Sequence, residues 1–128
     1  MGFLGYMLKV NGNVLPNGYI DLLNYKCTPH KRRVIDSWYD GDGIYHETYS
    51  SHTSTLIQFA TNGLLMPDKE AFISYFKKKA DLKIEYWNDE TGIYETGTFR
   101  RNDFTFMPYR IRKQDIIYKA LDVELKED

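Results

Sequence analysis

The stretch 82–106, LKIEYWNDETGIYETGTFRRNDFTF, constrains the fold more than any other part of the chain. Asn88-Asp89-Glu90-Thr91-Gly92 lies between two arms rich in aromatic and β-branched residues. Asn, Asp and Gly accept the tight, left-handed backbone that β-branched residues avoid, so the centre reads as a turn. Ile84 and Tyr86 on one arm, and Ile93 and Glu95 on the other, keep a period of two. Each arm therefore has two chemically different faces. The stretch reads as a long β-hairpin, a core and edge element whose aromatic face packs inward or against a sister subunit.

The same rules order the rest. Met7 to Val10 is a short strand, Asn11-Gly12 a hairpin turn, and Val14-Leu15 a return arm that Pro16 ends. Tyr19 to Cys27 is a strand entering a polar bend at Thr28-Pro29-His30, followed by the basic cluster Lys31-Arg32-Arg33. Val34 to Tyr49 makes a second hairpin around the turn Asp40-Gly41-Asp42-Gly43, and Thr53 to Ala60 is the next strand. The period then changes. Phe72, Tyr75, Phe76 and Lys79 fall at helical spacing, which predicts one helix from Asp68, as N-cap, to Ala80. After the long hairpin come a turn at Met107-Pro108, a polar link with Arg110, Arg112 and Lys113, and a last strand from Ile116 to Leu125. The expected fold is mainly β with one α-helix: a β-sandwich flanked by that helix, in one domain over residues 1–128.

The bulk properties narrow the function classes. A formal net charge of −1 argues against a general nucleic-acid binder, which needs an excess of Lys and Arg. The single cysteine, Cys27, excludes an intramolecular disulfide and reads as a small half-buried residue on a strand. The N-terminal MGFLGYMLKV lacks the basic and long apolar regions of a signal peptide, and no run approaches the ~20 apolar residues of a membrane span. Synthesis in the cytoplasm is expected. Eleven tyrosines stand out, because a ring with a polar tip suits half-buried strands and surfaces that meet a partner.

Catalytic patterns are missing. His30, His46 and His52 read as solvated loop residues without the spacing of a zinc site. Asp40 to Gly43 lacks the further ligands of an EF-hand, and no phosphate-binding or nucleophile-elbow motif occurs. Gly43-Ile44-Tyr45 matches only the opening tripeptide of a nuclease signature whose second half is missing. Neither an enzyme nor a cofactor is expected. Trp38 and Trp87 could offer a stacking platform for sugars, but both sit beside hairpin turns, where cross-strand packing is the common fate.

The order of elements resembles that of the ring-forming tail proteins of long-tailed bacteriophages. Motifs stand at the two ends of the chain: Leu8-Lys9-Val10-Asn11-Gly12 with Leu15-Pro16; Tyr86, Asp89-Glu90-Thr91-Gly92, Tyr94, Thr96 and Thr98-Phe99; Arg100 to Asp103; and Leu125-Lys126-Glu127. In these the chain is also similar to a family of small phage and prophage tail-region proteins of Gram-positive hosts known only as a domain of unknown function. Arg101-Asn102-Asp103 replaces the glycine-aspartate turn expected there. The resemblance implies a structural virion protein of the phage tail: a tail-tube or distal-tail (baseplate) ring, hexameric, located in the virion. Its partners would be itself and other tail proteins, with DNA only as passing cargo and no membrane.

Long hairpins rich in Tyr and Trp leave edges that want a neighbour, and a closed ring satisfies each with one repeated interface. The expected ring interface comprises Trp38, Tyr39, Asp40, Asp42, Ile44, Tyr45 and Tyr49 of the second hairpin, Lys31, Arg32 and Arg33 at its base, and Tyr94. The alternative is a carbohydrate- or fibre-binding module that uses the same hairpins as a stable monomer.

Overall fold

A computed structural model describes residues 2–32, 34–49, 53–77 and 81–127. Its main sheet is antiparallel and seven-stranded. In spatial order it contains β2 (Asn13–Val14), β1 (Leu8–Val10), β8 (Leu82–Asn88), β9 (Ile93–Arg101), β12 (Asp122–Glu127), β6 (Ser54–Thr61) and β3 (Ile20–Lys31). A smaller sheet joins β10 (Pro108–Arg112), β11 (Asp115–Tyr118) and β7 (Leu64–Leu65), and β4 (Val34–Tyr39) pairs only with β5 (Tyr45–Tyr49). One α-helix, α1 (Met66–Tyr75), follows β7 directly. The fold is mainly β with a single helix, and sandwich-like, as the sequence predicts.

The period of two builds the core. Leu82, Ile84 and Tyr86 alternate inward along β8, where they meet Phe99, Val10 and Leu8 of the neighbouring strands. Val123 and Leu125 of β12 lie opposite Phe59 and Ile57 of β6, all buried. Phe72 and Phe76, both fully buried, close the cluster from the helix side, where Tyr19 and Phe104 meet Phe72 at ring-centroid distances of 5.4 and 6.3 Å. The Asn11-Gly12 turn has φ of +49° and +85°, the left-handed pair that a two-residue hairpin requires.

Several boundaries differ from expectation, each for a physical reason. β3 runs through Thr28-Pro29-His30 to Lys31 instead of bending there. It is the outer strand of the sheet, where proline costs no ladder bond, and His30 absorbs the irregularity at φ +45°. The helix starts at Met66 with Pro67 in its first turn and Leu65, not Asp68, as N-cap. Asp115, distant in sequence, provides the missing acceptor: its Oδ1 receives the Met66 N–H at 3.2 Å. The helix ends at Tyr75; of the expected last turn, residues 78–80 lie outside the described residues.

The expected link through Arg110 and Arg112 is strand β10. The expected strand from Ile116 to Leu125 is two strands in different sheets, interrupted around Lys119, whose N–H donates to Met107 O at 2.9 Å. The long hairpin's second arm stops at Arg101. There Asn102 bridges to β12 by accepting the Glu124 N–H at 2.9 Å and donating to Asp122 O at 3.1 Å.

Candidate functional site: a projecting aromatic hairpin

β4 and β5 pack chiefly on one another, apart from the two larger sheets. Their turn is locked by one side chain. Asp40 Oδ1 accepts the N–H groups of Asp42 and Ile44 at 2.9 and 3.0 Å, and Oδ2 lies 2.7 Å from His46 Nε2. The Asp40 N–H donates to Ile44 O, and Gly43 turns the chain at φ +79°. The His46 contact, then the Ile44 N–H, hold the Asp40 carboxyl below its ordinary range.

The alternation of the two strands places one aromatic pair on each face. Trp38 and His46 are cross-strand partners stacked at 5.4 Å, and Tyr39 faces Tyr45 at 5.2 Å. These rings cover each other only in part: Trp38 is 45%, Tyr39 72%, Ile44 57% and Tyr45 49% exposed. Asp42 is exposed beside them, at the tip. The expected interface residues of the hairpin are thus brought together, except that Asp40 is engaged inwardly as the turn lock. Lys31 and Arg32 are exposed at the base, beside a groove of about 660 Å³ that Glu47, Asn88 and Glu90 also line. Arg33, like His52, lies outside the described residues; Tyr49 is described only as a strand position.

Tyr94 has another occupation. Its hydroxyl donates to Tyr6 O and accepts the Leu4 N–H, both at 2.9 Å, and its ring packs against Tyr6, Phe3 and Trp87. It clamps the N-terminal segment onto the outer face of the long hairpin. The Tyr6 hydroxyl donates to Glu85, which helps push the phenol up to about 12.

Behind the groove lies a polar cluster with no counterpart in sequence motifs. Glu95 Oε2 accepts from Asn88 Nδ2 at 2.5 Å and from the Tyr86 hydroxyl at 3.2 Å, and lies 3.0 Å from His30 Nε2. Thr55 Oγ1 is 3.0 Å from the Tyr86 hydroxyl, and Glu127 Oε1 accepts the Thr55 N–H at 2.9 Å. The Glu127 carboxylate crosses β9 at Gly97, where a Cβ would collide with it. His30 and His46 are therefore strand residues paired with carboxylates rather than solvated loop histidines. No spacing rule brings His30 of β3 to Glu95 of β9; only the fold does.

The Asn88 bond, then the His30 contact, lower the Glu95 pKa. A depressed carboxylate stabilises the fold above its unfolded value, about 4.3, and loses that contribution as pH falls through the lower folded value. Glu95→Gln is therefore expected to melt at a lower temperature than wild type at pH 7. The gap should close as pH falls below about 4.3 and through the lower folded value. A gap that stays constant down to acid pH would disprove the charge-dependent role.

Nearby, the buried Tyr25 hydroxyl has no hydrogen-bond partner among the described residues, and burial raises its pKa. Tyr25→Phe removes that unmet polar group and is expected to raise stability by roughly 1 kcal/mol in urea titrations. A loss of stability would contradict it. Cys27 is half-buried on β3, as expected, and burial pushes its thiol up to about 11, away from reactivity.

Among the described residues no three His, Cys, Asp or Glu side chains converge as a metal site. No described helix is long and apolar enough to cross a membrane. Fold and surface together define a mainly β domain that carries a detached, aromatic two-stranded projection. The chain belongs to a family described as a family of unknown function (DUF6711), which matches over residues 1–128. No curated protein and no solved structure matches it.

Proposed function

We propose that the protein is a non-catalytic structural component of a bacteriophage tail. It assembles with copies of itself into a ring, hexameric by resemblance, in the tail tube or at its distal end. In this reading the β4–β5 hairpin reaches a neighbouring copy, and DNA passes through the ring without specific binding.

The observation that carries the reading is the hairpin itself. A lone two-stranded hairpin is marginal in water, and this one leaves Trp38, Tyr39, Ile44 and Tyr45 between 45% and 72% exposed on both of its faces. Exposed aromatic clusters of this kind mark surfaces that meet partners. The resemblance of the two chain ends to small tail-region proteins supplies the setting, and a ring repeats one interface until it closes.

The test is the solution mass at several concentrations by light scattering, followed by imaging of assembled particles. The expected result is a discrete oligomer with a central channel. A monomer at every concentration would end this reading. The exposure of Trp38 favours one alternative, a glycan- or fibre-binding module, which such a monomer with a saturable ligand would support.

A further inference from the structure

The chain's net charge of −1 conceals a strong segregation. Residues 34–49 carry Asp36, Asp40, Asp42 and Glu47 and no lysine or arginine. Residues 107–119 carry Arg110, Arg112, Lys113 and Lys119 against one acid, Asp115. Asp115 is turned to its own surroundings, accepting the N–H groups of Met66 and Ile116. No described carboxylate forms an ion pair with Arg112 or Lys113.

The two basic side chains line an open groove of about 810 Å³ together with Leu65, Met66, Pro67 and Ile117, and with Gln114 and the backbone-engaged Asp115. Apolar and basic groups in one groove complement a tip that presents aromatic rings and the Asp42 carboxylate. The hairpin leaves the main sheet at Lys31, whose cross-strand partner Ser54 begins β6. The groove begins at β7, just beyond the other end of β6. An eight-residue strand spans about 25 Å. The base of the hairpin and the groove thus lie at opposite ends of β6.

We infer that the tip of the β4–β5 hairpin, with Tyr39, Asp42, Ile44 and Tyr45, docks in the groove of a second copy of this chain, where Asp42 meets Arg112 and Lys113. The contact is head-to-tail, so it propagates from copy to copy and closes when the rotation between copies permits. This inference rests on the proposed self-assembly and specifies its interface.

The experiment compares the assembly of wild type, Asp42→Lys, the double variant Arg112→Glu/Lys113→Glu, and the combined triple variant. All four are measured by sedimentation at roughly 0.05 and 0.5 M salt, between which the Debye length shrinks by about threefold. Every changed side chain is exposed, and melting temperature checks that each protein is folded. Each reversal is expected to weaken assembly by about tenfold or more, while the triple variant, with its charges swapped, regains most of it. Wild-type assembly should also weaken with salt.

Wild type that assembles as readily at either salt, reversals that assemble like wild type, or a triple variant no better than either reversal would overturn the docking and leave self-assembly standing. Wild type that stays monomeric at every concentration would overturn both.

Discussion

Replacing Phe72 with alanine is expected to cost about 3–5 kcal/mol, a large part of the stability of a domain this size. The ring is fully buried and meets Tyr19 at 5.4 Å, Phe76 at 5.1 Å and Phe104 at 6.3 Å. These contacts come from the 3₁₀ turn at Asn17–Tyr19, from the end of the helix and from the segment after β9. Removing the ring opens a cavity where three separate parts of the chain converge, and none can collapse into it without abandoning the others. The Arg101 guanidinium adds to this junction: its Nε donates to Phe76 O at 2.9 Å, and it lies 4.0 Å from the centre of the Phe104 ring. Urea titration checks the expectation, with a midpoint lower by about 1–2 M. A shift under about 0.5 M would mean that the helix is not fastened through Phe72.

The second large effect separates folding from assembly. Deleting Asp40 to Gly43 removes the turn and its carboxylate lock, and Tyr39 and Tyr45 cannot stay paired across the strands with Ile44 alone between them. Trp38→Ala instead keeps the turn and removes the ring stacked on His46. Because β4 and β5 pack chiefly on each other, the main sheet and its core should melt within a few degrees of wild type in both variants. The proposed oligomer, in contrast, should be lost on deletion and reduced at least about tenfold by Trp38→Ala, in line with an aromatic anchor at the proposed interface. Sedimentation and thermal melts on the same samples decide it. Normal rings from the deletion variant would exclude the hairpin from assembly.

What the sequence reveals here depends on how local the physics is. The Asn11-Gly12 turn, the Asn88–Gly92 turn and the Asp40–Gly43 turn are legible because their backbone demands fall on the residues themselves. The buried alternation of Leu82, Ile84 and Tyr86 is legible for the same reason. The helix is visible in the spacing of Phe72, Tyr75 and Phe76, but its start is not, since the acceptor for Met66 comes from Asp115. β3 looks broken at Pro29 because sequence does not show that it is an edge strand. The strand predicted from Ile116 to Leu125 alternates almost without pause, yet its two halves pair with different sheets, a decision made by β7 and β9.

The candidate site divides in the same way. The hairpin's exposed residues are readable from pattern and turn. Tyr94 is not: it has the composition of an interface residue, and only the fold shows it holding Tyr6 and Leu4. The Glu95 cluster draws on β3, β6, β8, β9 and β12, so no window of sequence contains it.

Lys31 and Ser54 are direct neighbours across β3 and β6, so the chain departs for the hairpin and comes back at one point on the sheet. Such an excursion is a cassette. Its length and side chains can be exchanged without stretching a strand or disturbing the Phe72 junction, because the two ends are already held side by side. A lineage can therefore rewrite the surface this excursion presents while inheriting the scaffold unchanged. The same doorway would accept a grafted loop or a reporter peptide.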